Sequence, residues 1–326
     1  MRVADPYPLL CAPVYQDYVW GGDQIIRRFN RSAPPGIYAE SWEISDRQEG
    51  MSIIRNGPLA GQTLADVRTA WGAALLGPGI ATDRFPLLIK LLDARETLSL
   101  QVHPDDAGAA VHGGEAKTEM WYVLAAEPDA AVYAGFRTDV DPDTFRQQVA
   151  AGTLESLLNR VPVKAGDAVF MPGGRVHTIG AGCLLLEVQQ NSNTTYRLYD
   201  WGRVGHEGQP RPLHVEQAMA VIDWSAVTAG VTVPRRLGHL GANTLWEVLN
   251  TAWFRMEQLD IAESWPTTHD GKSFHVLFNV DEPVRLHWAD DVVELAPGTS
   301  CLVPAALQAY RLEPQGRTGR VLRITL

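Results

Sequence analysis

Short runs of alternating apolar and polar residues, cut by Gly, Pro and Asp, dominate this chain. PLLIKLLDA, ETLSLQVH, EMWYVLAA, AAVYAGF, GDAVFMP, CLLLEVQQ and TTYRLYDW follow one another between residues 86 and 201, and FHVLFNV, PVRLHWA, VVELA and TSCLVP occupy the last third. Runs of this length and spacing predict the strands of sandwiches or barrels. Helical periodicity is confined to a few places. Residues 64–76 space their apolar positions as an amphipathic helix does, with Thr63 as its candidate N-cap. Residues 141–160 predict two short helices split by Gly152-Thr153, the first capped by Asp141 with Pro142 in its first turn. Residues 202–216 read as a loop, 217–224 as a helix and 225–240 as a linker.

An internal repeat organises these elements. Gly166, Pro172, Gly174 and His177 share their spacing with Gly298, Pro304, Ala306 and Ala309, and each set follows a similar strand, EMWYVL at 119–124 and KSFHVLF at 272–278. The first copy is longer by about the length of the helical segment at 141–160. Two β-barrels of one type, the first enlarged by helices, account for this. The repeat puts Ala309 in the His177 slot and a position near Lys272 in the Glu119 slot, so the second barrel is expected to be structural and metal-free. The expected domains are therefore 1–230, catalytic, with helical inserts at about 57–80 and 138–160, and 231–326.

Charge and composition narrow the function. With 326 residues and 45% hydrophobic content the chain can build a large core, and a net charge of −10 gives no global pull toward nucleic acid or an anionic membrane. An anionic substrate would need a local basic cluster. Three widely spaced cysteines (Cys11, Cys183, Cys301) fit neither a disulfide framework nor a CxxC zinc site. With no signal peptide or membrane span in the pattern, a cytoplasmic location is expected.

The candidate chemistry lies in the first barrel. Strict alternation through Leu98–His103 puts Ser99, Gln101 and His103 on one strand face, and Lys117 and Glu119 likewise share a face. His177 follows Pro172-Gly173-Gly174, where glycine permits a positive φ or a close-packed turn. Taken singly, Gln101 and His103 would be the solvent face of an edge strand, Glu119 a charged strand residue and His177 a hydrogen-bonded loop histidine. Together, in this order, Gln101, His103, Glu119 and His177 form a nitrogen and oxygen donor set for one divalent ion. That set suits zinc with an open position, while iron, manganese, cobalt or nickel also match the ligand type. His112, His206, His214, His239, His269, His275 and His287 lack partner spacing and read as structural or surface residues.

The Gly-x5-Pro-x-Gly-x2-His frame resembles the second motif of cupins. Together with VWGG (19–22), AESWEISD (39–46), FPLLIKLLDARETLSLQVHPDD (85–106), GEAKTEMWYVL (114–124) and QQNSNTTYRLYDWGR (189–203), the chain resembles the type I mannose-6-phosphate isomerases, in particular their short bacterial form. The resemblance implies a mainly β fold of two cupin-type (jelly-roll) barrels, with one zinc ion held by Gln101, His103, Glu119 and His177. It places the family's catalytic arginine on Arg197, its active-site lysines on Lys90 and Lys117, and a pocket serine on Ser99. Glu187 falls near a further acidic pocket position.

The implied reaction interconverts mannose 6-phosphate and fructose 6-phosphate through a cis-enediol. A small sugar phosphate is the expected partner, with no nucleic acid and no membrane. Glu187, a lysine of lowered pKa and a metal-bound water all meet the requirement for a general base. A related isomerase of different sugar preference, an iron cupin oxygenase and a non-catalytic sugar-binding cupin are the rival readings.

Overall fold

The computed structural model describes residues 4–81, 83–205, 208–225 and 229–326; His206 lies outside them. The chain is mainly β and divides into two compact units. One, the site-bearing unit, comprises Tyr15–Ser41 and Ile89–Thr232; the other comprises the residues up to Val14, Trp42–Leu88 and Val233–Leu326. No helix among the described residues is long and apolar enough to cross a membrane. All three cysteines are buried and unbridged.

Two antiparallel sheets build the site-bearing unit. One includes, in spatial order, Ala168–Met171, Glu119–Ala126 and Cys183–Gln190. The other runs Tyr196–Tyr199, Leu100–Val102, His177–Ile179, Ala131–Phe136, Leu158–Pro162. Trp121, Val123 and Leu185 from the first sheet pack with Val132, Ala134 and Ile179 from the second in one buried cluster. Alternation along each strand sends one set of side chains into this core. The opposite face of the second sheet carries Leu100, Val102 and Leu198, which pack against Phe145 and Ala218 of the helices Pro142–Ala151 and Val215–Val221.

The local helix signals act as written, within limits. The Asp141 carboxylate accepts from the Asp143 and Thr144 N–H groups at 3.1 and 3.0 Å, and the helix ends at Gly152 with φ +67°. The second predicted helix is only a 3-10 turn, Leu154–Leu157; from Leu158 the chain is a strand paired with Ala131–Phe136. So short a helix is costly to nucleate, whereas a sheet edge offers immediate backbone partners. In the other unit, Thr63 caps Leu64–Trp71 in a reciprocal capping box with Asp66, and Gly72 at φ +50° separates this helix from Ala73–Leu76.

That unit has an eight-stranded and a four-stranded sheet around a core including Leu10, Leu259, Leu277, Leu286 and Leu312. Part of the expected linker at 225–240 is a strand, Arg235–Leu240, paired with Asn243–Asn250.

The internal repeat is structural, with a correction of register. Gly166 and Gly298 both have positive φ, +90° and +74°. Gly166 N–H donates to Val123 O at 2.8 Å, and Gly298 N–H donates to Asn279 O at 2.7 Å. Val123 lies four residues after Glu119, and Asn279 four after His275. His275, not a position near Lys272, therefore stands where Glu119 does. It faces Val303 as Glu119 faces Met171.

Beyond the turn the two copies fall out of phase. Ala309 is exposed, and its neighbour Tyr310 points into the core. Tyr310 pairs with Thr267 as His177 pairs with Gln101. The four positions thus hold Thr267, His269, His275 and Tyr310. The two imidazoles stack at 3.9 Å, and His275 Nδ1 lies 2.9 Å from the Tyr310 hydroxyl.

Candidate active site

The short strand Leu100–Val102 organises one wall. Gln101 is paired with His177 on one side and with Arg197 on the other. The facing sheet supplies Glu119, at the start of its strand, and Glu187 opposite Trp121. His103 follows the strand, where the Gly173-Gly174 turn closes on it. Gly174, at φ +85°, donates its N–H to His103 O at 2.7 Å. A Cβ at Gly173 would lie 2.5 Å from Asp105 Cα, so only glycine fits there.

His103, Glu119 and His177 are buried, and their ligand atoms all lie within 4.8 Å of one another. His103 Nε2 is 3.7 Å from Glu119 Oε2, and His177 Nε2 is 3.3 Å from Glu119 Oε1. Two donors each about 2.1 Å from one ion at a tetrahedral angle lie roughly 3.4 Å apart, so these spacings suit a shared metal.

The protonation pattern agrees. His177 Nδ1 donates to the Arg175 carbonyl at 2.8 Å, which leaves the Nε2 lone pair facing the Glu119 carboxylate. Two such atoms in contact call for a proton or a metal cation between them, and burial raises Glu119 to about 7. Glu119 Oε1, fully buried, accepts no hydrogen bond. Burial pushes His177 down to about 3 and His103 well below its ordinary range, so both rings are neutral, the form that could ligate a metal. The Gln101 amide nitrogen lies 3.3 Å from His177 Nε2, and a half-turn of the amide would bring its oxygen there.

Lysine charges surround this centre. Lys117 Nζ lies 2.7 Å from Glu119 Oε2 and 3.2 Å from His103 Nε2. Lys90 Nζ lies 3.1 Å from Glu40 and 3.5 Å from Glu187. Burial opposes the Lys90 charge, but Glu40 and Glu187 outweigh it and raise its pKa, so it is no lowered-pKa base. Burial likewise works against the Glu187 carboxylate. Lys117, Lys90 and a hydrogen bond from Trp121 Nε1 (3.1 Å) overcome it and hold Glu187 below its ordinary range.

These groups open on a cavity of about 390 Å³ whose lining includes Lys90, Ser99, Gln101, Lys117, Glu187 and Arg197. Arg197 donates from Nε to Ser99 Oγ at 3.3 Å and from a terminal nitrogen to Pro212 O at 2.9 Å. Its obvious carboxylate partner, Asp200, is engaged elsewhere. Arg203 reaches Asp200 at 2.7 Å, and Arg211 reaches it with two bonds of 2.7 and 2.6 Å. Among the described residues Arg197 makes no ion pair.

Arg211, Glu40 and His214 line the same cavity, although the sequence patterns did not single them out. Arg211 and His214 arrive from a non-periodic loop and a helix start, where no alternation marks a face. His214 in particular is a cavity residue rather than a bystander.

The family model for the type I phosphomannose isomerase catalytic domain matches residues 9–134. Mannose-6-phosphate isomerase ManA of Bacillus subtilis (strain 168) is 34% identical over 311 residues, covering 94% of this chain and 96% of the relative. Mannose-6-phosphate isomerase of Streptococcus mutans is 41% identical over 216 residues, covering 66% of this chain and 67% of the relative. The crystal structure of mannose 6-phosphate isomerase from Bacillus subtilis superposes with a TM-score of 0.90 at 31% identity, covering 98% of this chain and 99% of that one. On its donor cluster, its fold and these relatives, the chain belongs to the type I phosphomannose isomerase family.

Proposed function

We propose that the chain interconverts D-mannose 6-phosphate and D-fructose 6-phosphate, with one zinc ion held by Gln101, His103, Glu119 and His177. One observation carries this reading. A single cavity is lined by Glu187, held ionised, by Arg197, which has no ion pair among the described residues, and by Gln101 and Lys117, which touch the buried His103, Glu119 and His177 cluster. The relatives named mannose-6-phosphate isomerase support the choice of sugar.

Aldose–ketose exchange moves a proton between C1 and C2 and builds negative charge on the enediolate oxygens. When bound, the metal supplies positive charge to those oxygens and fixes their orientation. Arg197 and Arg211 bind the phosphate dianion, with Ser99 beside Arg197. Arg197 suits this task because its guanidinium is always charged and presents a planar fork of donors. Lys117, beside Glu119, adds charge where the enediolate forms, and Lys90 keeps Glu187 ionised. Glu187 takes the proton from one carbon and returns it to the other.

The test is a coupled assay of purified, zinc-supplemented protein with mannose 6-phosphate, before and after a chelator. Turnover that the chelator abolishes and zinc restores is expected. Turnover confined to unphosphorylated mannose or to glucose 6-phosphate would shift the sugar assignment, and oxygen uptake without isomerisation would overturn the reading.

A further inference from the structure

We infer that His214 is the positioning residue for Arg197, replacing the neighbour strand that the sheet lacks at this point. This rests on the isomerase reading for its substrate, though not for its geometry. Tyr196–Tyr199 is the edge strand of its sheet, paired on one side only, with Leu100–Val102. Its register shifts between Arg197 and Tyr199, so regular pairing gives out beside the residue that must be aimed. An edge N–H and C=O left bare at the wall of a cavity would be free to move or to pair with water.

His214 takes up both groups. Its backbone N–H donates to Arg197 O at 2.7 Å, and Arg197 N–H donates to His214 Nδ1 at 3.3 Å. This reciprocal pair has the form of a β-bridge, with an imidazole nitrogen in the place of one carbonyl. Two residues earlier, Pro212 O accepts from the Arg197 guanidinium at 2.9 Å. Backbone and side chain of Arg197 are thus gripped by one segment, whose Arg211 also faces the cavity.

The grip fixes the tautomer. An Nδ1 that accepts a hydrogen bond carries no proton, so the neutral ring carries it on Nε2. Burial and the adjacent Arg197 lower the His214 pKa, which keeps the ring neutral at pH 7. A protonated ring would lose the Arg197 bond and set a second cation against the guanidinium. His214 also stands at the N-cap of Val215–Val221 but makes no side-chain capping bond there, so its imidazole serves Arg197 and not the helix.

Three variants of the full chain separate this role from a merely structural one. His214→Ala removes the acceptor and should lower kcat/KM for mannose 6-phosphate by about 10- to 100-fold, with bound zinc unchanged. His214→Asn places an oxygen where Nδ1 stands and should restore activity to within about fivefold of wild type. His214→Ser caps a helix well but is too short to reach the Arg197 N–H, so it should behave like alanine. Rescue by serine as good as that by asparagine, or wild-type kinetics in the alanine variant, would overturn the proposal.

Nitrogen-15 NMR of the histidine rings gives a readout independent of turnover, with the His214 signals identified by their loss in His214→Asn. A bare Nδ1 and protonated Nε2 are expected, and a protonated Nδ1 would refute the geometry. If the wild type failed to isomerise mannose 6-phosphate, the reaction assignment would fall while the tautomer still decided the role of His214.

Discussion

His275 offers a prediction whose size can be worked out. It stands at the Glu119 position of the second repeat, is only 8% exposed, and accepts or shares a proton with Tyr310 across 2.9 Å. Burial first, and then the nearby His269 and Arg323, lower its pKa from 6.5 to about 2. The folded state therefore keeps the ring neutral, while the unfolded chain takes up a proton near pH 6.5. Below that value the unfolded state binds the extra proton, so stability is complete above pH 6.5 and is lost as pH falls toward 2.

Each pH unit in this window costs about 1.4 kcal/mol, so moving from pH 7.5 to 5.0 should cost about 2 kcal/mol through His275 alone. The perturbation is His275→Asn, which keeps an acceptor for Tyr310 and removes the titration. It will be less stable than wild type at every pH because the smaller side chain leaves space, so the slope and not the offset is the readout. Urea unfolding of both zinc-loaded proteins at pH 7.5, 6.5, 5.5 and 5.0 measures it. Protonation of the metal ligands affects both proteins alike and cancels, as distant sites are close to additive. The wild type should lose about 2 kcal/mol more than the variant between the extremes. Parallel curves would show that His275 is not held neutral by its surroundings.

Three further outcomes test the candidate site. Arg197→Ala should retain its metal yet lose about 10²-fold or more in kcat/KM, whereas His177→Ala should lose both metal and turnover; elemental analysis beside the coupled assay separates them, and a fully active Arg197→Ala would refute the assigned chemistry. Glu187→Gln should reduce kcat by about 10² to 10⁴ with near-normal zinc content, while exchange of the substrate C2 proton with solvent falls in step; a kcat within threefold of wild type would remove Glu187 as the base. Gly173→Ala should cost about 1–3 kcal/mol of stability and speed metal loss to a competing chelator, because its Cβ would meet the Asp105 backbone next to His103.

The site was legible where chemistry coincides with local pattern. His103 and Glu119 lie on or beside strands whose alternation fixes a face, and a spaced glycine frame delivers His177 to them. Asp141 and Thr63 likewise act through atoms a few residues away, so their caps could be read directly. Arg211 and His214 could not, since their approach to the cavity depends on Asp200 and on the Arg197 backbone, both remote in sequence. The grouping of residues 42–88 with the C-terminal region has no local signature either. Nor does the phase of the strand after Pro304. A count of residues between glycine and proline is preserved there, while the turn that follows decides which side chain faces inward.

That change of phase bears on the history of the fold. If both repeats descend from one metal-binding ancestor, the second did not merely exchange its ligands; its inward position also moved one residue further from the proline, from the spacing of Pro172 and His177 to that of Pro304 and Tyr310. Ala309→His, the reversion an alignment would suggest, would hang an imidazole in solvent. Recovery of that ligand would start instead at Tyr310, which already holds the inward position beside the stacked His269 and His275. The shift of phase thus hides the equivalent position from an alignment without removing it from the interior. Engineering a second metal centre there would do better to begin from His269, His275 and Tyr310 than from the position an alignment suggests.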